Sequence, residues 1–130
     1  MSEPEITLEH KDNRGEIYSV SLPGNRELML LFSKAGVFRG GHSHDVNEVV
    51  VLLSGKMKYY KRAIQGDGEV GVEQVMTLMP GDVSRNMAGV IHMGEFLEDS
   101  WVIEQKFSEK DAWTQQDFEP YRQMVRESAK

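Results

Sequence analysis

Hydrophobic and polar positions along this chain change over short segments in the way that is typical of β-strands. Segments rich in β-branched and aromatic residues occupy 16–22, 27–34, 48–54, 56–64, 69–79, 89–96 and 101–107. Turn-forming sequences such as PGN, GDG, PGD and EDS separate them. Seven or more short strands at this spacing predict an all-β sandwich or barrel.

The C-terminal tail departs from this pattern and has a helical period. The apolar residues that recur at helical spacing after Asp117 are Phe118, Tyr121, Met124 and Val125. Pro120 is compatible with a first helical turn, and Ser108 with Asp111 resembles a capping box. We therefore expect a short C-terminal helix that covers one end of the β core, with a dimer contact as the alternative.

Composition narrows the possible chemistry. The 130 residues make one domain, and the absence of cysteine means that any metal must be held by nitrogen and oxygen ligands. A net charge of -6 disfavours nucleic-acid binding, because such proteins usually carry a basic face. The basic cluster Lys56, Lys58, Lys61 and Arg62 is interpreted as a solvated strand face, with an anion site as the alternative.

The termini and hydropathy indicate a protein that acts in the cytoplasm. The N-terminal sequence MSEPEITLEH is acidic and lacks the apolar centre of a secretory signal. No apolar segment reaches the roughly 18 residues that a membrane-spanning helix needs. We expect a cytoplasmic protein with no membrane or nucleic-acid partner.

Three of the four histidines stand in a pattern that favours metal binding. His42 and His44 project to the same face of a strand, Glu48 opens the apolar run 49–53, and His92 lies inside another strand-like segment. Three imidazoles and one carboxylate can hold a divalent transition metal and leave coordination positions open. The alternative is that these are ordinary strand histidines bonded to the backbone. Ligand type does not choose between Fe, Mn, Ni, Co, Cu and Zn.

The spacing of these residues resembles the first motif of the cupin superfamily. It places five residues between Gly36 and His42, one between His42 and His44, three before Glu48, and six before Gly55. The resemblance covers roughly residues 27–107.

A second cupin motif follows with two departures. Gly81, Gly89 and His92 are in register with it, and LMPGD leads in. Met87 stands where the motif has proline, and Phe96 stands where it has asparagine. Neither departure removes a metal ligand, although the first puts the rigidity of that turn in doubt.

The resemblance implies an all-β fold, a double-stranded β-helix or cupin jelly-roll barrel with a short C-terminal helix. Its parts are N-terminal strands (1–26), the cupin core (27–107) and a helical tail (108–130), all in one domain. It implies one divalent transition metal held by His42, His44, Glu48 and His92. Inward-facing positions that follow these ligands are expected to line the pocket, and they are Val50, Leu52, Gly94 and Phe96.

Further candidates for the pocket come from aromatic and charged residues on the predicted strands. Tyr60 and Glu104 are the catalytic candidates. The substrate-binding candidates are Arg39, Tyr18, Phe96 and Trp101. Trp101 and Glu104 lie an odd number of residues apart on one strand, so the face that points inward decides between them.

A fainter resemblance links two segments to sugar-nucleotide-modifying cupins, the ketoisomerases and related enzymes of polysaccharide assembly. The segments are DNRGEIY (12–18) and FRGGHSH (38–44). The alternative is that both are plain turns.

An open metal site in a pocket favours an enzyme that acts on a small oxygenated substrate, as an isomerase, epimerase, lyase or dioxygenase. The alternative is a non-catalytic small-molecule-binding or sensor domain, because fold does not settle catalysis. We also expect a homodimer, with the N-terminal strand ITLEH added across a two-fold interface.

Overall fold

The computed structural model describes residues 5–24, 26–107 and 113–130. Within these ranges the chain forms eleven strands and one helix. The elements are β1 (Glu5–Asp12), β2 (Gly15–Leu22), β3 (Arg26–Ser33), β4 (Phe38–His44), β5 (Asn47–Ser54), β6 (Met57–Arg62), β7 (Gln74–Leu78), β8 (Val83–Asn86), β9 (Ile91–Phe96), β10 (Ser100–Phe107), β11 (Gln115–Asp117) and α1 (Glu119–Ser128).

The strands form two antiparallel sheets that face each other across a cavity. The six-stranded sheet has the order β1-β2-β3-β10-β5-β8, and the five-stranded sheet has the order β11-β4-β9-β6-β7. Some neighbours in each sheet come from distant parts of the sequence, as β10 between β3 and β5 illustrates. This arrangement confirms the predicted jelly-roll barrel.

The core between the sheets follows from strand alternation. On β5, Glu48, Val50 and Leu52 are buried and point inward, while Val49 and Val51 are partly exposed on the outer face. Leu52 has no exposed surface, so its replacement by alanine should cost about 2–5 kcal/mol of stability.

Several strand boundaries differ from the sequence prediction. The predicted strand 69–79 is paired as a strand only over β7, and the segment before it makes one isolated bridge, between Ile64 and Val70. The short strands β8 and β11 were not predicted. Their sequences, VSRN and QQD, are mostly polar, and they are defined by backbone pairing with β5 and β4.

The predicted C-terminal helix is present as α1, with Pro120 in its first turn. Tyr121 and Val125 are buried against Ile91 and Met93 of β9. Because Ile91 and Met93 alternate with the inward-facing His92, the helix covers the outer face of the five-stranded sheet rather than an end of the barrel. The predicted capping box at 108 and 111 lies outside the described residues.

The hydropathy of the described helix bears on whether the chain could cross a membrane. Among the described residues, no helix has the length and apolar character that crossing a membrane requires.

Candidate metal centre

A bulge in β4 sets the orientation of the first candidate ligands. The pairing of β4 with β9 shifts register between Gly40 and His42, and Gly40 and Gly41 have φ angles of 97° and 86°. A Cβ atom on Gly40 would lie 2.9 Å from the His92 carbonyl oxygen, so a side chain there would be both strained and crowded. Residues 39 and 42 would face opposite sides of a regular strand. Because the bulge adds one residue, Arg39 and His42 both line the cavity.

The three histidines of the predicted ligand set converge from two neighbouring strands. His42 on β4 lies directly opposite His92 on β9 in the antiparallel pairing. The ring centroids of His42 and His44 are 4.6 Å apart, and those of His42 and His92 are 5.0 Å apart. One nitrogen from each ring lies within 4.8 Å of the other two.

Glu48 approaches this cluster from the opposite sheet. Its Oε1 atom lies 3.3 Å from His92 Nε2, and its Oε2 atom lies 3.6 Å from His44 Nε2. Asn86 on β8 and Lys106 on β10 are its cross-strand neighbours. Asn86 Nδ2 donates to Glu48 Oε1 at 3.2 Å, and Lys106 Nζ lies 3.3 Å from Oε2.

Burial keeps the imidazoles neutral. It lowers the pKa of His42 to about 3 and that of His44 to about 4, and the neighbouring imidazole of His92 adds to both shifts. Burial also lowers the pKa of His92. His92 Nδ1 lies 3.3 Å from the Val90 carbonyl oxygen, to which it donates when protonated, so that Nε2 faces Glu48 as the acceptor nitrogen. Neutral imidazoles are the form that binds a metal.

The donor set fits a divalent transition metal. His42 Nδ1, His44 Nδ1 and Glu48 Oε2 are buried and have no hydrogen-bond partner in the part of the chain that the structure describes. The nitrogens of His44 and His92 that face Glu48 are Nε2. An ion would replace Lys106 beside Oε2, and the convergence of the ligand atoms is what fits it. Atoms bound to one ion at about 2.1 Å are at most about 4 Å apart, so the histidine nitrogens need to close only slightly. Lys106 is the competing cation at Glu48.

The cavity beside the cluster has a volume of about 170 Å³. Its wall is apolar over much of its area, with Val50, Phe96 and Val102 among its residues. The polar and charged side chains that line it, besides His42 and His92, are Arg14, Arg39, Tyr59, Glu104 and Arg122.

Three of the predicted catalytic and substrate-binding residues line this cavity. They are Arg39, Phe96 and Glu104. Burial, together with the charge of Glu48, raises the pKa of Glu104 to about 7. Val50 and Gly94 also line the cavity as strand parity predicted, while Leu52 lies in the adjoining core.

The other three predicted residues lie on the outer faces of the sheets. Tyr60 packs beside α1 and donates to Glu95 Oε1 at 2.7 Å, so it is not placed to act on a molecule in the cavity. Tyr18 and Trp101 stack with ring centroids 6.3 Å apart. The residues adjacent to them in sequence, Ile17 before Tyr18 and Val102 after Trp101, line the cavity instead.

Several residues around the site were missed by sequence reasoning. Tyr59 rather than Tyr60 points inward, and it accepts a hydrogen bond from Asn86 Nδ2 at 2.7 Å. The Trp113 ring packs against His44 edge to face, with ring centroids 4.9 Å apart. Lys106 Nζ lies 4.3 Å from the centroid of the Trp113 ring. The inward parity of Met57 could have identified Tyr59. Nothing local marks Trp113, because its position depends on the chain returning beside β4.

Comparison with known proteins supports the fold. No protein-family model matches the chain, and no curated protein matches its sequence significantly. Solved structures do match. The capsular polysaccharide assembling protein CapF from Staphylococcus aureus is 20% identical with a TM-score of 0.63, over 85% of this chain and 30% of that chain.

Two further structures extend the comparison. The CENP-C cupin domain of Drosophila melanogaster is 14% identical with a TM-score of 0.64, over 79% of this chain and 76% of that chain. An oxalate decarboxylase variant from Bacillus subtilis is 20% identical with a TM-score of 0.59, over 82% of this chain and 29% of that chain.

These likenesses define the class of structure. The chain has a cupin fold, and its histidine triad lies where the barrel wall meets a cavity. At such identities the likeness extends to the fold alone. The chain spans about a third of the length of CapF.

Proposed function

We propose that this chain is a metal-dependent cupin enzyme that holds one divalent transition metal through His42, His44, Glu48 and His92. The supporting observation is the convergence of three neutral imidazoles from one sheet with a buried carboxylate from the other. An ion bound there would act as a Lewis acid on an oxygen atom of a small substrate. The nitrogen and oxygen ligands are compatible with Fe, Mn, Ni, Co, Cu or Zn.

Glu104 is the residue we assign to proton transfer. It lines the same cavity as His42 and His92, and its pKa of about 7 lets it take up and release a proton near neutral pH. Arg39 would orient the substrate through its guanidinium, and Phe96 supplies apolar wall.

The reaction class follows from these roles. A carboxyl group that exchanges a proton beside a polarised oxygen serves isomerisation, epimerisation or elimination, in which a proton leaves a carbon next to a carbonyl. If the ion is iron, a dioxygenase reaction also belongs among the proposed reactions. Sugar derivatives belong among the substrates to test, because CapF is described as a capsular polysaccharide assembling protein.

The alternative function is a small-molecule-binding or sensor domain without turnover. One observation favours it. Glu48 has a cation and a hydrogen-bond donor of the protein itself beside it, from Lys106 at 3.3 Å and Asn86 at 3.2 Å. Its negative charge is therefore compensated when the chain is metal-free.

Metal content is the first test. Protein purified without chelator should carry about one divalent transition metal per chain by elemental analysis. Substoichiometric metal that cannot be restored by adding Fe, Mn, Ni, Co, Cu or Zn would overturn the proposal.

Turnover separates the enzyme from the binder. Metal-loaded wild type, His44→Ala and His10→Ala are incubated with a mixture of oxo acids, hydroxy acids and sugar derivatives, and every species is followed by mass spectrometry. His10 is the matched control, because it is exposed on β1 outside the cluster. A metabolite consumed by wild type and His10→Ala but not by His44→Ala supports catalysis. A metabolite retained unchanged by wild type supports the binding domain.

A further inference from the structure

Arg39 is a buried cation without a charged partner. Arg39 is only 7% exposed to solvent. Its Nε donates to Ser33 Oγ at 2.6 Å, and its Nη2 donates to the Phe32 carbonyl oxygen at 3.1 Å. Both acceptors are neutral, and none of the residues that the structure describes forms an ion pair with it. A buried guanidinium without a counter-charge is costly, so its surroundings favour an anion.

The other arginines on the cavity wall add to this positive charge. Burial lowers the pKa of Arg39 to about 10, and the charge of Arg14 adds to that shift while the charges of Asp12, Glu104 and Glu16 oppose it, so Arg39 stays charged at neutral pH. Arg14 is paired with Asp12, whose Oδ2 accepts from Nη2 at 2.9 Å. Arg122 Nη1 donates to the Gly40 carbonyl oxygen at 2.8 Å.

The carboxylates near the cavity do not cancel this charge. Glu48 is held by Lys106 and Asn86. Glu104 retains its proton over much of the range below pH 7, because burial raises its pKa. Arg39 therefore keeps a positive charge that no direct ion pair with a described residue neutralises.

We propose that Arg39 binds the carboxylate of a small organic acid in this cavity, an inference that rests on the proposed function in taking the cavity as the substrate site. Nη1 of Arg39 has no hydrogen-bond partner among the described residues, and Nη2 has a second N–H. These two groups can donate in parallel to the two oxygens of one carboxylate.

Cavity size and neighbouring groups narrow the acid. About 170 Å³ is small beside the roughly 300–1,000 Å³ of common ligand pockets. A short-chain acid fits this volume better than a sugar nucleotide does. Arg39 and His42 flank the same bulge on one wall, so an acid anchored at Arg39 extends its hydroxyl or oxo group toward the imidazoles. Glu48 and Glu104 would repel a phosphate dianion more strongly than they repel a carboxylate, because the dianion carries more negative charge.

The binding test uses metal-free protein, so that carboxylates cannot be held by an ion. Arginine is labelled with ¹⁵N, and the Nε–H signal of Arg39 is followed while propionate, propionamide or inorganic phosphate is added. Propionamide has the shape of propionate without its charge. We expect propionate to shift the Arg39 signal saturably and propionamide to leave it unchanged.

Variants test whether Arg39 is responsible. Arg39→Gln should weaken propionate binding by roughly 10- to 100-fold, the range of one charge-assisted hydrogen bond. Arg39→Lys keeps the charge but loses the paired N–H donors of the guanidinium. Its affinity for propionate should lie between those of wild type and Arg39→Gln. Arg85→Gln is the control, because Arg85 is exposed on the outer face of β8, and it should bind as wild type does.

Three outcomes would overturn the proposal. They are an Arg39 signal that does not respond to propionate, Arg39→Gln binding as tight as wild type, and phosphate binding tighter than propionate binding. The wild-type signal keeps the test decisive if Arg39→Gln does not fold. Because metal content is measured separately, a failed metal centre and a failed carboxylate site are distinguishable.

Discussion

Lys106→Met tests how the charge of Glu48 is balanced. Lys106 Nζ lies 3.3 Å from Glu48 Oε2, and the lysine and glutamate side chains are 19% and 1% exposed. At an effective dielectric constant of about 20, charges at this distance attract by about 5 kcal/mol before desolvation is subtracted. Removing one partner of a buried pair costs about 3–5 kcal/mol. Because Lys106 keeps some contact with water, we expect metal-free Lys106→Met to lose about 2–3 kcal/mol of stability.

The same substitution should strengthen metal binding. In wild type, Glu48 must exchange the lysine ammonium for the ion, whereas in Lys106→Met the carboxylate has no cation to release. If about 2 kcal/mol of that attraction is recovered, affinity rises by roughly 30-fold, since 1.4 kcal/mol is tenfold. The variant would therefore be less stable than wild type without metal and would gain more from its addition.

Affinity is measured by competition with a chromogenic chelator for Zn²⁺ and Co²⁺, and stability by thermal unfolding with and without the ion. Lys58→Met is the matched control, because Lys58 is exposed on the outer face of β6, and it should change neither quantity. Metal affinity in Lys106→Met that is equal to or weaker than that of wild type would refute the idea that Lys106 competes for Glu48.

Three other predictions concern the cavity and the assembly. Tyr59→Phe should lower ligand binding or turnover. Tyr60→Phe should lower only the free energy of unfolding in chemical denaturation, by about 1 kcal/mol, the value of one hydrogen bond. Equal effects of the two variants on ligand binding would contradict the assigned faces. The folded pKa of Glu104, about 7, exceeds its ordinary 4.5, so the unfolded chain releases this proton first and stability falls as pH rises from 4.5 through 7. Glu104→Gln should remove a fall on the order of 3 kcal/mol, read from urea unfolding at several pH values. Ile6 and Leu8 are 65% and 51% exposed on edge strand β1, so light scattering should give twice the chain mass of 14.8 kDa, and Ile6→Lys should give monomer; a wild-type monomer would contradict the dimer.

Much of the fold was predictable because the strands repeat a simple period. The β5 sequence alternates buried and partly exposed positions from Glu48 to Leu52, so the inward parity of Val50 followed from that of Glu48. The shared face of His42 and His44 could be expected from their spacing, whereas His92 was assigned to the same site through the resemblance to the second cupin motif. The mostly polar strands β8 and β11 could not, because only pairing with distant partners makes them strands.

The faces of adjacent aromatic residues were harder to assign. Tyr59 and Tyr60 are chemically identical neighbours, and only the strand parity shared with Met57 distinguishes them. Helix α1 covers the outer face of this sheet, so Tyr60 is partly buried there and resembles a core residue as much as Tyr59 does. Tyr18 and Trp101 lie on the outer face of the other sheet, where they stack on each other. Apolar character therefore did not distinguish the inside of the barrel from a covered outer face.

The bulge at Gly40 and Gly41 decides the chemistry of the cavity. Without it, strand parity would turn either Arg39 or His42 away from the interior, since they are three positions apart. The register shift places a guanidinium and an imidazole on one wall, and positive φ angles at both glycines make that shift possible. The cavity thus combines neutral nitrogen donors, suited to an ion, with a buried cation, suited to a carboxylate. One molecule that carries both an acid group and a second oxygen can satisfy the two at once, which is why a short oxo or hydroxy acid agrees better with this wall than a neutral sugar does.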